Sequence, residues 1–271
     1  MDTVIIEDTH IPALGFGTWM IQGPDCIDAV ADALALGYRH IDTAQIYENE
    51  AQVGQAIADS ATPRQDIFLT TKIWRDNTPG DRVLPSLHES LTKLQTDYVD
   101  LLLVHWPMDD VPVEDTLAPM MEAKEQGKVR HLGVSNYPPS WVKKATSITD
   151  IACNQVEYHP FLGQESLLSL AQSEEMMLTA YSPLARGRVL DDQTLTDIAN
   201  NHGKSPAQVA LRWLIDQPQV AAIPKAQSPE HRRSNLQIFD FQLSDDERAA
   251  IDALPKDQRV LDPDFAPTWE R

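Results

Sequence analysis

The chain has 271 residues, 42% of them hydrophobic, which is enough to bury a substantial core in one large domain or two small ones. Forty-one acidic residues against 22 basic ones give a formal charge of -19, which repels phosphate backbones and anionic membranes and argues against a nucleic-acid partner. The two cysteines, Cys26 and Cys153, form no CxxC pair, so we expect buried thiols rather than a disulfide framework or a zinc ribbon.

Targeting and membrane signals are weak in this sequence. No apolar run reaches the roughly 20 residues of a membrane helix, and "MDTVIIEDTH" has neither the basic start nor the apolar core of a signal peptide. We therefore expect a cytoplasmic protein that does not enter a membrane. The composition is even along the chain, without low-complexity segments or linkers, which predicts a single domain over residues 1–271.

The first half of the chain alternates predicted strands and helices. "PALGFGTW" predicts a strand, and the next segment predicts a helix with one apolar face, formed by Ile27, Val30, Ala31 and Leu34. "GYRHIDTA" predicts the second strand, and a helix follows from about Glu50 to Asp59 with Asn49 as its N-cap.

The pattern continues to the end of the chain. "DIFLTTKIW" predicts a strand, leucines at 84, 87, 91 and 94 predict a helix, and "YVDLLLVHW" predicts a strand buried on both faces. A helix to about Gln126 precedes four more predicted strands, "RHLGVSNY", "DIACNQVEYHP", "MLTAYSPL" and "QVAAIPKA". Helices are predicted over 139–146, 164–174, 192–202 and 206–216, the last starting at Ser205 and Pro206.

Eight strands interleaved with helices, in a chain near the ~250 residues typical of the fold, predict an α/β protein of the (β/α)8 TIM-barrel type. An open doubly wound sheet is the structural alternative. That fold usually carries GxGxxG between a strand and a helix, and "GFGTWM" departs from the motif at its sixth position. The barrel is therefore favoured.

Polar residues stand where seven predicted strands end, and active sites of such barrels are built at the carboxyl ends of the strands. Each residue alone has an ordinary structural explanation, such as a capping aspartate, an outward-reaching lysine or a satisfied core histidine. As a set they predict an active site. They are Asp42, Lys72, His105, Ser135 with Asn136, Gln155 with Glu157, Tyr181 with Ser182, and Lys225.

Five segments in this order and spacing, "GYRHIDTAQIYENEAQVGQAI", "TTKIW", "LVHWP", "GVSNY" and "NQVEYHP", resemble the aldo-keto reductases. The resemblance runs from "GFGTW" to "IPKAQSPEHRRSNL". It implies a monomeric (β/α)8 barrel that reduces aldehydes and ketones with NADPH and has no metal. The short connection after "HWP" and the ending "RVLDPDFAPTWER" most resemble the bacterial 2,5-diketo-D-gluconate reductases of the B type, which also reduce methylglyoxal-like dicarbonyls.

The resemblance implies a catalytic tetrad of Asp42, Tyr47, Lys72 and His105. Tyr47 would donate the proton that a carbonyl oxygen needs as hydride reaches its carbon. The Lys72 ammonium is expected to lower the tyrosine pKa from its ordinary value of roughly 10. Asp42 would be the counter-ion of Lys72, and His105 would hydrogen-bond the carbonyl oxygen.

The resemblance also implies a cofactor site, in which Tyr181 stacks on the nicotinamide and the segment from Lys225 to Asn235 holds the adenosine 2'-phosphate and adenine. Many relatives have serine directly after this lysine and arginine six residues beyond it, whereas this chain has Ala226 and His231. Arg232 or Arg233 could substitute for the arginine. NADPH is therefore expected, with NADH as a second candidate. The implied contacts are Thr18, Trp19, Ser135, Asn136, Gln155, Tyr181, Ser182, Leu184, Gly187, Lys225, Ser228, Arg232 and Asn235.

Three indoles, those of Trp19, Trp74 and Trp106, lie just beyond predicted strand ends and could line an apolar cleft for a small carbonyl, or simply pack in the core. Tyr158 and His159 are expected to border the same space.

Charges near the cleft bear on the substrate. Asp109 and Asp110 follow "HWP" and would repel an anionic sugar acid if they faced the cleft, although Arg75 could offset them. Neutral dicarbonyls or aldehydes would be repelled less.

Two other functions are compatible with parts of the pattern. A nicotinamide-binding sensor or accessory subunit would bind cofactor without turnover, but the intact tetrad argues for catalysis. An unrelated barrel hydrolase or isomerase would need a metal site or a carboxylate pair. Neither HExxH nor clustered Cys/His spacing accompanies His105.

Overall fold

The computed structural model describes residues 2–270. It begins with an antiparallel hairpin of β1 (Thr3–Ile6) and β2 (Thr9–Pro12). The sequence analysis did not predict this hairpin. Thr9 Oγ1 lies 3.0 Å from Nε2 of His131, and Val4, Ile6 and Ile11 are buried. The hairpin therefore packs against the rest of the protein.

Residues 2–270 also contain one eight-stranded parallel sheet whose strands pair in chain order. Its strands are β3 (Phe16–Gly17), β4 (His40–Asp42), β5 (Phe68–Ile73), β6 (Val99–Val104), β7 (Val129–Ser135), β8 (Cys153–Glu157), β9 (Met177–Tyr181) and β10 (Val220–Ala222). Every residue of β5 and β6 is buried, as predicted for β6.

The two edges of this sheet meet beside β3 and β10. Leu14 forms a parallel bridge with Ala222, and Gly15 N donates to Ala222 O at 2.8 Å. A Cβ at Gly17 would lie 2.8 Å from the carbonyl oxygen of Ile223, so glycine is required for this approach. The closure confirms the predicted (β/α)8 barrel.

Ten α-helices are present in the part of the chain that the structure describes. They are α1 (Gly23–Leu36), α2 (Glu50–Ala58), α3 (Gly80–Lys93), α4 (Val113–Glu125), α5 (Pro139–Thr146), α6 (Glu165–Ser173), α7 (Gln193–His202), α8 (Pro206–Ile215), α9 (Pro229–Leu236) and α10 (Asp245–Asp252). Those at α5 to α8 agree with the predicted bounds to within one residue. Ser205 caps α8 in a reciprocal capping box with Gln208, which confirms the predicted start.

Asn49 is the N-cap residue of α2, as predicted, but its side chain makes no capping hydrogen bond. Its amide instead donates to Thr18 O and Ile21 O, both at 2.9 Å, and so ties the loop after β3 to α2. One local prediction was wrong. The predicted apolar face of α1 included Ala31, which is exposed. The buried residues of α1 are Cys26, Ala29, Val30, Ala33 and Leu34, which include the predicted Val30 and Leu34.

Cys26 and Cys153 are both buried and free, as expected. Within residues 2–270, no helix combines the length and the apolar character that crossing a membrane requires.

Candidate active site

The predicted strand-end residues lie at one rim of the barrel. Asp42 is the last residue of β4, Lys72 the penultimate residue of β5, and His105 directly follows β6. Tyr47 reaches the same place from a short 3-10 helix, Gln45–Tyr47. Parallel strands bring their carboxyl ends together, so residues distant in sequence become neighbours.

A buried ion pair lies beneath this rim. Lys72 Nζ donates to Asp42 Oδ1 at 2.6 Å and to Thr43 O at 2.8 Å, and the lysine side chain is fully buried. Gln155 Nε2 donates to the other carboxylate oxygen of Asp42 at 2.8 Å. Burial lowers the pKa of Lys72, and the neighbouring Asp42 opposes that shift. Asp42 therefore has the geometry of a counter-ion.

The hydroxyl of Tyr47 accepts a hydrogen bond from Lys72 Nζ at 3.3 Å. Burial raises the tyrosine pKa well above its ordinary value of 10.0, and the Asp42 carboxylate raises it further. The expectation that Lys72 lowers this pKa was wrong. The reason is that Asp42 compensates the ammonium charge at 2.6 Å, which leaves desolvation as the dominant influence on the phenol.

His105 is held between two aromatic rings, with centroids 5.7 Å from Tyr47 and 5.3 Å from Trp74. Burial, followed by the charge of Lys72, lowers the histidine pKa well below 6.5, so its imidazole is neutral near pH 7. Its Nδ1 is buried and has no hydrogen-bond partner among residues 2–270.

A cleft of about 430 Å³ opens above the tetrad. Most of the residues proposed for the site from sequence line it. They are Trp19, Asp42, Tyr47, Trp74, His105, Trp106, Asn136, Gln155, Tyr181, Ser182, Leu184, Gly187 and Lys225. Tyr181 donates from its hydroxyl to Asn136 Oδ1 at 2.7 Å, which fixes its ring in the cleft wall.

Other proposed contacts do not line the cleft. Thr18 Oγ1 donates to Asp42 O at 2.9 Å, and Ser135 Oγ donates to Gln155 O at 2.8 Å. Ser228 caps α9 by accepting from His231 N. Asn235 is buried in α9 and is not among the residues that line the cleft.

Arg232 has a different role from the one proposed for it. Its side chain is 3% exposed, Nε donates to Asp32 at 2.6 Å, and Nη1 donates to the carbonyl oxygens of Ala226 and Gln227. These bonds commit the guanidinium to joining α9 to α1. Arg233, the next residue of α9, is exposed.

The turn after β9 crosses one side of the cleft. Ser182, Ala185, Arg186 and Gly187 all have positive φ, between 47° and 97°. The guanidinium carbon of Arg186 lies 5.4 Å from the ring centroid of Trp19. The turn thus contacts Trp19, which follows β3.

The sequence analysis missed part of the cleft mouth, which the C-terminal segment forms through Leu261, Pro263 and Phe265. The Phe265 ring is 5.4 Å from Trp106 and 6.0 Å from Trp74. Ile46, Pro183, Arg186, Ile223 and Pro224 were also missed. The sequence feature that could have indicated this segment is its two aromatic residues, Phe265 and Trp269, in a stretch without strand or helix periodicity.

Two proposed neighbours of the cleft are located elsewhere. Tyr158 packs on Trp213 at 5.4 Å and donates to Gln217 Oε1, while His159 is fully buried against Glu157. Neither residue lines the cleft.

The charged residues considered for substrate selection also lie outside the cleft. Asp109 and Asp110 border a separate surface depression together with Trp141 and Lys144. The Arg75 guanidinium packs on the Phe265 ring at 4.3 Å and donates to its carbonyl oxygen. Among residues 2–270, no group of three or more His, Cys, Asp or Glu side chains is arranged to hold a metal ion.

The comparisons with known proteins agree with this geometry. Residues 13–256 match the model of the Aldo/keto reductase family. The chain is 42% identical to methylglyoxal reductase DkgB of Escherichia coli O157:H7, over 96% of this chain and 99% of that protein. It is 39% identical to glyoxal reductase of Bacillus subtilis strain 168, over 96% and 95% of the two chains. A crystal structure assigned as a 2,5-diketo-D-gluconic acid reductase B is 45% identical, with a TM-score of 0.98 over 100% of this chain and 98% of that one. The chain therefore belongs to the aldo/keto reductase family and is an oxidoreductase.

Proposed function

We propose that this protein reduces small, neutral α-dicarbonyls and aldehydes with NADPH, using Tyr47 as general acid. The observation that carries the proposal is the tetrad itself, in which the Tyr47 hydroxyl and the His105 ring share a cleft above the Lys72–Asp42 pair. Similar proteins named methylglyoxal reductase and glyoxal reductase support carbonyl reduction as the reaction. A monomeric state and a cytoplasmic location stay predictions.

The residues of the cleft fit a nicotinamide nucleotide. Tyr181 provides an aromatic wall tethered by Asn136, Gln155 provides an amide at the floor, and the left-handed turn from Ser182 to Gly187 provides backbone at one side. Lys225 adds a cation suited to phosphate. A bound, reduced nicotinamide would supply the hydride.

Tyr47 would supply the proton. Its raised pKa keeps the phenol protonated at neutral pH, and the phenol donates as negative charge develops on the carbonyl oxygen. Lys72, 3.3 Å away, stabilises the phenolate left behind, and Asp42 compensates the ammonium when the phenol is neutral.

We assign the proton of neutral His105 to Nε2. An unpaired buried N–H is rarer in proteins than an unpaired buried acceptor, and Nδ1 is the buried, unpaired nitrogen. The Nε2–H group can then donate to the same carbonyl oxygen as Tyr47, which stabilises the charge that forms there.

The substrate end of the cleft is apolar, which favours neutral carbonyls. Trp74, Trp106 and Phe265 line the cleft near Tyr47 and His105. The cations that line the cleft, Arg186 and Lys225, belong to the turn after β9 and the loop after β10. A diketo sugar acid would carry its carboxylate into an apolar site without a pairing cation, which is costly. We therefore place neutral α-dicarbonyls ahead of sugar acids.

Cofactor selectivity should be modest. Lys225 is available to a 2'-phosphate, but Ala226 offers no hydroxyl, His231 no fixed guanidinium, and Arg232 is held by Asp32. We propose NADPH as the preferred cofactor and NADH as a weaker one.

A substrate panel tests the proposal. Purified protein is given methylglyoxal, phenylglyoxal, simple aldehydes and a diketo sugar acid, each with NADPH and with NADH. We expect oxidation of NADPH with the neutral dicarbonyls and a lower kcat/KM with the sugar acid. Tight NADPH binding without turnover of any carbonyl would instead identify a nicotinamide-binding sensor.

A further inference from the structure

The C-terminal segment 257–270, here called the tail, crosses the mouth of the cleft without forming a strand or helix. A chain end with few internal backbone hydrogen bonds stays ordered only where the rest of the protein holds it. Leu261, Pro263 and Phe265 of the tail line the cleft. The contacts that hold the tail therefore influence the shape of the substrate site.

The carboxylate of Glu157 holds the near end of the tail. Val260 N donates to Oε1 at 2.6 Å and Leu261 N donates to Oε2 at 2.8 Å. His159 Nε2 lies 2.9 Å from Oε1, and both side chains are fully buried. Because Glu157 ends β8, this carboxylate joins the barrel rim directly to two consecutive residues of the tail.

The far end of the tail is fixed by separate contacts. The Trp269 ring lies 6.2 Å from Trp106 and 3.7 Å from the guanidinium carbon of Arg259, and its Nε1 donates to Asp262 at 2.8 Å. Glu270 accepts hydrogen bonds from the backbone and hydroxyl of Ser140 at the start of α5. Both ends of the tail are thus held by contacts with the rest of the protein.

We propose that Glu157 is a positioning residue that sets the height of the tail over the cleft and so holds Leu261 and Phe265 in contact with the substrate. This inference rests on the proposed carbonyl reductase function. The path from Glu157 to the cleft-lining side chains of the tail is short. Leu261 donates its N–H to Glu157 and also lines the cleft, and Phe265 follows four residues later. A shift at Glu157 is transmitted to both side chains.

Glu157→Gln tests the role of the carboxylate at almost constant volume. An amide has one acceptor oxygen, so it cannot accept from Val260 N and Leu261 N on separate oxygens. One of these two backbone N–H groups would then face the amide NH2 group, which is also a donor. We expect KM for phenylglyoxal, whose ring reaches further from the carbonyls than the methyl group of methylglyoxal does, to rise about tenfold. The change in kcat, and the rise in KM for the smaller methylglyoxal, should both be less. Glu174→Gln, at an exposed site after α6, is the matched control.

A double mutant separates positioning from general destabilisation. If Glu157 acts through the tail, adding Glu157→Gln to Phe265→Ala should raise KM for phenylglyoxal little beyond the value of Phe265→Ala alone. Fully additive losses would overturn the proposal, because independent sites add. Val260→Pro, which removes one tail donor and leaves the carboxylate intact, should reproduce the effect even if Glu157→Gln folds poorly.

Trypsin cleavage after Arg259 in the full-length protein gives a readout that needs no activity. We expect faster cleavage in Glu157→Gln than in the wild type or Glu174→Gln. Unchanged cleavage together with unchanged KM would overturn the proposal. If the wild type reduced no carbonyl at all, the proposed function would fail, while the cleavage rates would still decide whether Glu157 anchors the tail.

Discussion

The tetrad combines one pair of oppositely charged side chains with two side chains that are neutral near pH 7. Lys72 and Asp42 form a buried charged pair, whereas Tyr47 and His105 are neutral near pH 7 because burial raises the pKa of Tyr47 and lowers that of His105. In the proposed mechanism the transferable proton therefore resides on the phenol. The ammonium would stabilise the phenolate that forms after transfer, rather than forming it beforehand.

His231→Arg should increase the preference for NADPH. Residue 231 is the third residue of α9, close in sequence to Lys225, and is exposed. A guanidinium there could grip a 2'-phosphate bidentately, so we expect the dissociation constant of NADPH to fall by about tenfold. Fluorescence titration of the purified variant measures the change.

NADH is the internal control for this variant, because it lacks the 2'-phosphate. Its dissociation constant should change little. An equal gain for both cofactors would show that residue 231 does not face the phosphate.

Among secondary-structure elements, the β1–β2 hairpin lies at the N-terminal end of the barrel, opposite the cleft. His131 in β7 contacts Thr9 of the hairpin at 3.0 Å, and His40 of β4 contacts Pro12 O at 3.1 Å. Both imidazoles flank Phe68, and burial lowers the pKa of each. This end of the barrel therefore contains two buried histidines that resist protonation.

Acid should destabilise the protein through these histidines. Below the unfolded-state histidine pKa of about 6.5, the unfolded chain binds protons on these imidazoles and the folded chain does not. The free energy of unfolding therefore decreases as the pH is lowered. The limit is about 1.4 kcal/mol per pH unit for each histidine, reached well below that pKa. Urea unfolding of the wild type and His131→Gln, from pH 7 to about pH 5, measures the effect. The variant should show a smaller loss, and an identical loss would exclude His131 as a source.

Elements with a regular pattern were predictable, and irregular ones were not. Asp42 and Lys72 could be assigned to a common rim because apolar runs mark β4 and β5 and parallel strands share one end. Arg232 was misjudged, since its partner Asp32 is 200 residues away in sequence and no local pattern indicates it. The tail was missed for the same reason: Glu157 binds backbone N–H groups at 260 and 261, which carry no sequence signal.

The molecule as a whole carries a formal charge of -19, with 41 acidic residues against 22 basic ones. Several cations are already engaged, as Arg64 and Arg130 are with Asp100, and Lys72 is with Asp42. The remaining surface is strongly acidic. Mutual repulsion of these carboxylates opposes the compact state.

Salt should therefore stabilise the protein. Raising NaCl from about 50 mM to about 500 mM shortens the screening length to well below 10 Å and weakens the repulsion between carboxylates more than it weakens the fewer exposed ion pairs. We expect Tm to rise over this range. A Tm that falls steadily with salt would show that favourable surface pairs outweigh the net charge.

The most direct test of the central claim is the rate of NADPH oxidation in a single turnover with methylglyoxal, compared between the wild type and Tyr47→Phe. The variant keeps the aromatic ring and loses only the hydroxyl, so NADPH should still bind with nearly the wild-type affinity. If Tyr47 is the acid, the rate should fall by roughly 10²–10⁴-fold. Turnover at the wild-type rate by Tyr47→Phe would contradict the account.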